Sequence, residues 1–305
     1  MTTPQWALVQ YRTPDDGGHG DPRGQTVGIA VDGGVRQAPA ALGGLTLMQI
    51  LDGWARWEPL LRELDVGELT PVPGPVTLVA PLTYPRKVLC AGANYYSHAA
   101  EMGTARPDPA ATPFFFLKPP TTTVVGPHAT VAIPTGPGAR VDWEAEIAVV
   151  VADVCRDLDD DQAAGHIAGY LVANDISDRG AFIRPDAVFP PFGFDWLAHK
   201  GQDGFCPLGP GLVPAWQVRD PQDLSIRLTV NGVLKQDAST ADMVVGVHRL
   251  VAAASRMLTL EAGDVILTGT AAGVGMPRQD FLHPGDVVTV TVDGLGTLRN
   301  EMVAR

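Results

Sequence analysis

The sequence predicts an α+β protein rich in β-strands, with a roll or barrel-like core and peripheral helices. Turn-forming residues are frequent, with 34 glycines and 27 prolines among 305 residues, which favours many short strands. Alternating apolar stretches also flank an Asn-Gly pair at 231–232 and an Asp-Gly pair at 293–294. Such pairs are the strongest short-range hairpin signal, so residues 228–236 and 287–303 are predicted hairpins.

The first part of the chain is predicted to form a small β-rich accessory domain over residues 1–75, followed by a catalytic domain over residues 76–305. A proline-rich connector around residue 75 marks the boundary. The apolar patterns before it predict strands at 5–12 and 26–31, a Gly/Asp/Pro loop at 13–24 and a helix at 46–64. A second helix is predicted at 240–260, where apolar residues recur on one face.

The charge and the cysteines limit the function classes. The formal net charge of −12 argues against a nucleic acid or an anionic membrane as a partner. The N-terminal residues do not resemble a signal peptide, and no apolar run reaches the roughly 20 residues of a membrane helix. Cys90, Cys155 and Cys206 offer no disulfide framework, so we interpret them as packing residues in a reducing, cytoplasmic setting.

Two glutamates stand at the start of the apolar stretch VDWEAEIAVVV at 141–151. Side chains of a strand alternate, so Glu144 and Glu146 are predicted to lie on one face. Two adjacent carboxylates leading into a core are costly unless a cation neutralises them, and divalent cations such as Mg²⁺ take oxygen ligands. The alternative is that this face is wet and the pair binds nothing.

Two further patterns carry candidate functional residues. The apolar stretch in GYLVANDISDRG (169–180) runs into Asp175, which predicts a third carboxylate ligand at a strand end, unless it only caps a turn. In CAGANYYSHAAEMG (90–103), His98 and Glu101 are three residues apart. On a short helix that spacing puts both on one face, where the carboxylate orients the imidazole as a general base. An ordinary exposed His–Glu pair is the alternative.

These segments, in this order, resemble the fumarylacetoacetate hydrolase family. The resemblance covers roughly residues 85–303. It rests on seven short motifs, which are GANYYSHAAEMG, FFFLKP, VDWEAEIAVVV, GYLVANDISDR, KGQDGFCPLGP, VNGVLKQDASTADM and LTGTAAGVG. The resemblance implies the family's mixed β-sandwich roll with peripheral helices, preceded by a small N-terminal domain, and a homodimer.

The resemblance also implies the roles of individual residues. Mg²⁺ or Mn²⁺ would be held by Glu144, Glu146 and Asp175. The catalytic residues would be the His98–Glu101 pair on a mobile lid helix and two lysines, Lys118 and Lys200. The substrate would be contacted by Tyr95, Gln236 and Thr270.

The implied reaction is metal-dependent hydrolysis of a carbon–carbon bond in an acylpyruvate-like 1,3-diketo acid, through a metal-bound enolate. The metal would act as a Lewis acid, and His98 would activate water. The same intermediate serves decarboxylases, hydratases and isomerases of 2-oxo acids, so these remain alternatives. A non-catalytic binding protein on the same fold is a third alternative.

The sequence departs from the family pattern after Asp175. Where many members carry an Asp-aromatic-Gln run, this chain reads SDRGAF, so an expected pocket glutamine is missing. The segment FIRPDAVFPPFGFDW at 182–196 contains four phenylalanines and a tryptophan. It is predicted to form either an aromatic wall for a bulky acyl tail or a dimer interface. This chain reads TGTAAGVG where many members have TGTPAGVG, so an alanine replaces a proline, which is a smaller change.

Overall fold

The computed structural model describes residues 5–14 and 25–305. The loop predicted at 13–24 therefore lies, except for its first two residues, outside the described part of the chain. The strands are β1 Ala7–Arg12, β2 Thr26–Val31, β3 Gly34–Gln37, β4 Thr77–Leu78, β5 Val88–Gly92, β6 Phe114–Lys118, β7 Val124–Val125, β8 Thr130–Ile133, β9 Val141–Asp142, β10 Ala145–Val151, β11 Ile167–Asn174, β12 Ser177–Asp178, β13 Cys206–Pro214, β14 Ser225–Val230, β15 Val233–Ser239, β16 Val265–Leu267, β17 Val287–Val292 and β18 Gly296–Ala304. The helices are α1 Leu47–Asp52, α2 Trp54–Arg62, α3 Tyr96–Glu101, α4 Asp160–Ala163, α5 Trp196–Lys200 and α6 Val247–Met257.

Strands dominate the described residues, which confirms the predicted β-rich α+β class. The larger sheet has the order β3-β2-β1-β13-β11-β10-β16-β5-β6, with β4 and β7 pairing beside β1 and β13. A second sheet has the order β15-β14-β17-β18-β8, and β9 pairs with β12. Both predicted hairpins are present, as β14–β15 and β17–β18.

The larger sheet is buried on both faces around β10. Ile147 and Val149 belong to a core that includes apolar side chains of the second sheet. Ala148 and Val150 belong to a core on the opposite face, which also contains apolar side chains of α1 and α2. This double burial explains why β10 reads as a continuous apolar run.

The first 75 residues contribute directly to the larger sheet. Leu8 of β1 lies opposite Leu212 of β13 in antiparallel pairing. α1 and α2 cover the sheet face described above, although the division of the chain near residue 75 stays a prediction. The helix predicted at 46–64 is two helices, because Gly53 ends α1 and begins α2 with a non-helical backbone.

Two other segments differ from their predicted bounds. The helix predicted at 240–260 begins only at Val247, after a short 3₁₀ turn at 240–242 and a cap at Gly246. The strand predicted at 141–151 is interrupted at residues 143–144, between β9 and β10. The interruption arises because β9 leaves the larger sheet to pair with β12.

The close approach of β11 to β13 gives a test of this packing. A Cβ atom added at Gly169 would lie 2.2 Å from the backbone oxygen of Val213, whereas one added at Gly165 would meet no atom within 4 Å. We expect Gly169→Ala to lower the free energy of unfolding by about 1–3 kcal/mol, since the backbone cannot give way cheaply. Urea denaturation measures this, with Gly165→Ala as the matched control. Equal stability of the two variants would contradict the packing.

Candidate active site

Three buried carboxylates meet where β10 begins and β11 ends. Oxygen atoms of Glu144, Glu146 and Asp175 lie within 4.8 Å of one another. The backbone fixes this meeting, because the Asp175 N–H donates to the Glu144 carbonyl at 2.9 Å. The Asn174 side chain accepts from the Glu144 N–H at 3.0 Å. The two glutamates therefore share a face, as predicted, although Glu144 lies just outside the strand.

Two buried lysines contact the carboxylates. Lys200 Nζ lies 2.7 Å from Glu144 Oε2 and 2.8 Å from Asp175 Oδ2. Lys118 Nζ lies 2.5 Å from the other oxygen of Asp175 and also donates to the carbonyl oxygens of Ile176 and Phe205. The structure thus brings both sequence-predicted lysines to the carboxylates. Lys200 lines the adjoining cavity, and Lys118 lies behind it.

Arg179 is a third cation at this site, and sequence reasoning missed it. Its guanidinium donates to Glu144 Oε1 at 2.6 Å and to Asp142 Oδ2 at 3.0 Å. Asp142 in turn accepts the N–H groups of Gly275 and Met276 at 2.6 and 3.0 Å. The only sequence signal was the arginine at the end of the NDISDR motif, to which no role was assigned.

The charges at the site are unevenly balanced. Burial favours protonation of Glu144, but Lys200 and Arg179 outweigh it and hold its pKa well below the ordinary value. Burial and the charges of Asp175 and Glu144 raise the pKa of Glu146. Its Oε2 accepts a hydrogen bond from the Gly269 N–H at 2.5 Å. Glu146 is therefore the carboxylate whose negative charge is least compensated by the protein.

The carboxylates fit a hard divalent cation. Mg²⁺ and Mn²⁺ prefer oxygen ligands, and all three residues offer carboxylate oxygens at mutual distances that one ion can span. A cation there would also relieve the repulsion that raises the pKa of Glu146. The residues that would hold it are Glu144, Glu146 and Asp175.

His98 and Glu101 form the predicted pair on α3. His98 Nδ1 lies 3.3 Å from Glu101 Oε1. The Glu101 carboxylate also accepts the Gly273 N–H at 2.9 Å and lies 3.4 Å from Arg278. Burial alone would raise the pKa of Glu101, but His98, the Gly273 N–H and Arg278 together lower it. Glu101 is thus anchored as an anion that can orient the imidazole.

A cavity of about 240 Å³ is lined by His98 on one side and by Glu144 and Asp175 on another. Its polar wall is formed by His98, Thr104, Glu144, Asp175, Arg179, His199, Lys200 and Thr270. His199 is a second residue that sequence reasoning missed. Its Nδ1 lies 2.9 Å from the Asp178 carbonyl, and burial together with the charge of Lys200 lowers its pKa to about 3. The ring is therefore neutral, with Nδ1–H donating.

The three predicted substrate-contacting residues are placed differently from one another. Thr270 lines the cavity, and its hydroxyl donates to the Ala145 carbonyl at 2.9 Å. Gln236 is buried behind it, where its amide donates to Thr270 Oγ1 and its carbonyl accepts the Ala145 N–H. Tyr95 is fully buried in the core. Neither Tyr95 nor Gln236 lies on the cavity wall, so their expected contact with substrate is a prediction that this placement does not support.

The aromatic segment at 182–196 divides into two parts. Phe182 and Trp196 line the cavity together with Phe116. The Trp196 ring stacks on Phe116 at 4.9 Å and meets the edge of Phe182 at 5.0 Å. Phe189, Phe192 and Phe194 are instead more than half exposed, at 54%, 58% and 55%. One part of the segment is thus cavity wall, and the other is an apolar surface.

Comparison with known proteins identifies the class to which this site belongs. Residues 87–303 match the family model described as "Fumarylacetoacetate (FAA) hydrolase C-terminal". Because that match covers most of the chain, the protein belongs to the fumarylacetoacetate hydrolase family, as its motifs predicted. This family includes hydrolases as well as tautomerases.

Three similar proteins show the range of activities. A mitochondrial oxaloacetate tautomerase, fahd2 of Xenopus laevis, is 40% identical over 230 residues, which are 75% of this chain and 69% of that protein. The 2,4-didehydro-3-deoxy-L-rhamnonate hydrolase of Sphingomonas sp. (strain SKA58) is 33% identical over 277 residues, 90% of each chain. The structure of maleylpyruvate hydrolase from Sphingobium sp. SYK-6, in complex with Mn²⁺ and pyruvate, aligns with a TM-score of 0.75 at 26% identity, covering 98% of this chain and 99% of that one.

Metal affinity tests the assignment of the carboxylates. Glu146→Gln keeps the shape of the side chain and an oxygen for the Gly269 N–H but removes the charge. We expect it to weaken Mn²⁺ binding at least about tenfold, because loss of a direct ligand should cost no less than the roughly 10–100-fold that loss of a ligand's hydrogen-bond partner costs. Isothermal titration calorimetry measures this, with the exposed Glu301→Gln as control. Unchanged Mn²⁺ affinity in Glu146→Gln would show that the ion binds elsewhere.

Proposed function

We propose that the protein is a divalent-metal-dependent hydrolase that cleaves a carbon–carbon bond in an acylpyruvate-like 1,3-diketo acid. The observation that carries this proposal is that one cavity is lined by His98, which is paired with Glu101, and by two of the three carboxylates, Glu144 and Asp175. A general base and a cation site on the same small cavity are what water addition to a chelating diketone requires.

The proposed cation is Mg²⁺ or Mn²⁺. When bound, it supplies Lewis-acid polarisation of the substrate's dicarbonyl oxygens. The Mn²⁺ and pyruvate in the related maleylpyruvate hydrolase support a site of this kind. Lys200 and Arg179 keep Glu144 ionised, and Gln236 and the Ala145 carbonyl hold the Thr270 hydroxyl at the cavity wall.

His98 is the proposed general base. Glu101 is an acceptor, so the hydrogen bond between them places the proton of the neutral ring on Nδ1 and leaves Nε2 free to take a proton. Water deprotonated at Nε2 adds to the carbonyl carbon of the acyl group. The bond between that carbon and the pyruvyl methylene then breaks, its electron pair stays on the pyruvyl part, and protonation there gives pyruvate beside a free acid.

The lysines have different proposed roles. Lys200 lines the cavity and carries a cationic group that can stabilise the oxyanion formed on water addition. Lys118 is fully buried, between Asp175 and two backbone carbonyls. Lys118 is therefore proposed to position Asp175 rather than to touch the substrate.

The cavity wall indicates the class of acyl group. Phe116, Phe182 and Trp196 form an apolar surface on the cavity. The guanidinium of Arg179 is already paired with Asp142 and Glu144, and the ammonium of Lys200 with Glu144 and Asp175. A second carboxylate on the substrate would thus meet aromatic rings rather than an uncommitted cation. We therefore propose an apolar or aromatic acyl tail.

A second candidate function is tautomerisation or decarboxylation of a small 2-oxo acid. The observation that favours it is the 40% identity to an oxaloacetate tautomerase. Such reactions need a base that moves a proton beside a carbonyl, and His98 could serve there without any attack by water.

Product analysis separates these functions. The metal-stripped protein, reloaded with Mg²⁺ or Mn²⁺, is incubated with a panel of acylpyruvates and with oxaloacetate, and products are identified by mass. Metal-dependent release of pyruvate and a free acid supports the hydrolase. Loss of the enol absorbance of oxaloacetate without any cleavage would establish a tautomerase instead. Release of CO₂ from oxaloacetate would establish a decarboxylase.

Replacement of the base gives a direct mutational test. We expect His98→Gln to lower kcat by about 10²–10⁴-fold, the usual contribution of general base catalysis. Mn²⁺ affinity should be unchanged, because His98 lies outside the three carboxylates. The exposed His248→Gln is the matched control. A kcat within twofold of the unmodified enzyme would exclude His98 as the base.

The aromatic wall predicts a change of substrate preference. We expect Trp196→Ala to lower kcat/KM for an aromatic acylpyruvate by about tenfold or more, since the tail loses apolar contacts. The value for acetylpyruvate should change far less. Phe189→Ala, in the exposed part of the same segment, is the control. An unmodified enzyme that prefers acetylpyruvate would count against the wall.

The exposed part of the segment is the proposed surface of a homodimer. Phe192, Phe194 and Leu197 are exposed, and so is Leu117 of the edge strand β6. Exposed large apolar residues of this kind mark interaction sites when they form one patch. We expect a dimeric mass by light scattering and a monomeric mass for Phe192→Asp with Leu197→Asp. Val233→Asp, on the exposed hairpin β14–β15, should leave the mass unchanged. A monomeric unmodified protein would contradict the dimer.

A cytoplasmic location stays a prediction. None of the helices within the described residues has the length and apolar character to cross a membrane. The related oxaloacetate tautomerase of Xenopus laevis is mitochondrial.

A further inference from the structure

A second group of potential metal ligands lies at the other end of β10 and β11. Asp153 follows the end of β10, and His166 precedes the start of β11. Ligand atoms of Asp153, Cys155 and His166 lie within 4.8 Å of one another. The three carboxylates of the candidate active site border the opposite ends of the same two strands. The two groups are thus separated by the length of β10, about 20 Å at the usual rise of a strand.

The backbone holds these three residues in place. The Ala152 N–H donates to the His166 carbonyl at 2.9 Å, which joins the two segments. Cys155 exchanges two backbone hydrogen bonds with Leu260, each of 3.0 Å. Because these contacts are independent of the side chains, the donor atoms are brought together before any ligand binds.

The donor types are those of a thiophilic cation. A thiolate, an imidazole and a carboxylate are the ligands that Zn²⁺ accepts, and sites with three protein ligands leave one position for water. Cys155 is buried, whereas the side chains of His166 and Asp153 are 28% and 55% exposed. An ion could therefore enter from solvent and still meet a sheltered sulfur atom.

A buried carboxylate, Asp264, acts on the Cys155 thiol. Asp264 is completely buried, and its Oδ1 has no hydrogen-bond partner, while Oδ2 lies 2.9 Å from Lys87. Burial and the charges of Asp153 and Asp264 raise the pKa of Cys155 to about 11. Binding of a metal at a thiol releases the thiol proton, as it does at thiolate sites generally.

We propose that Asp153, Cys155 and His166 form a second metal site, which binds a thiophilic divalent cation of the Zn²⁺ type. The thiol proton passes to water as the metal–sulfur bond forms. The ion replaces the 2.5 Å hydrogen bond between His166 Nδ1 and Asp153 Oδ1, and the ring then carries its single proton on Nε2. Bound there, it ties the segment after β10 to the start of β11. The all-oxygen active site, in contrast, suits a hard cation.

Co²⁺ is the probe that distinguishes the two sites. Only coordination by a thiolate produces a sulfur-to-Co²⁺ charge-transfer band, so Co²⁺ at the carboxylates is silent in this measurement. Co²⁺ is titrated into the protein with Mg²⁺ in excess. We expect the absorbance of the band to rise with added Co²⁺ and to stop rising at one equivalent. Added Zn²⁺ should bleach it. Absence of the band from the folded, reduced protein would overturn the proposal.

Matched variants locate the band. Cys155→Ser should abolish it, and His166→Gln and Asp153→Asn should weaken Co²⁺ binding at least about tenfold. The controls His248→Gln and Asp157→Asn replace exposed residues and should behave like the unmodified protein. Persistence of the band in Cys155→Ser would overturn the assignment. If Cys155→Ser does not fold, His166→Gln and Asp153→Asn test the site instead, because both replace partly exposed residues. Unchanged Co²⁺ affinity in both variants would also overturn the proposal.

Discussion

The burial of three carboxylates side by side is the constraint on which the rest of the site depends. Charged groups removed from water must be paired, and like charges in contact raise each other's pKa. Here Lys118, Lys200 and Arg179 neutralise Asp175 and Glu144, while Glu146 is left with repulsion from both neighbours. The proposed cation completes a charge balance that the protein alone leaves unfinished.

The sheet makes this arrangement possible. β10 and β11 are packed on both faces, so their ends are held rigidly enough to keep carboxylates in contact. A loop that follows β16 then closes the site. Asp142 accepts the N–H of Gly275 and Glu101 accepts the N–H of Gly273 in this one loop, which ties α3 to β9, just before the carboxylates. The aromatic rings of Phe116, Phe182 and Trp196 supply the remaining wall. In the proposed function, these rings select the acyl group of the substrate.

The sequence predicted the positions of site residues correctly where these depend on the repeat of a single strand or helix. Alternation along a strand placed Glu144 and Glu146 together, and three-residue spacing on a helix paired His98 with Glu101. It did not predict residues whose role depends on contacts with residues far away in the sequence. Arg179 acts through Glu144, 35 residues away, and His199 through a carbonyl 21 residues away. Tyr95 and Gln236 lie in motifs, but their burial depends on which way each element faces. The helix break at Gly53 was readable in principle, because glycine lowers helix propensity.

The central claim is that Glu144, Glu146 and Asp175 together hold one divalent cation. Anomalous diffraction from crystals grown with Mn²⁺ measures this most directly. We expect a single strong anomalous peak within coordinating distance of all three carboxylates, with Lys200 still paired to Glu144. A structure at saturating Mn²⁺ without a peak there, its carboxylates contacted only by Lys118, Lys200 and Arg179, would contradict it.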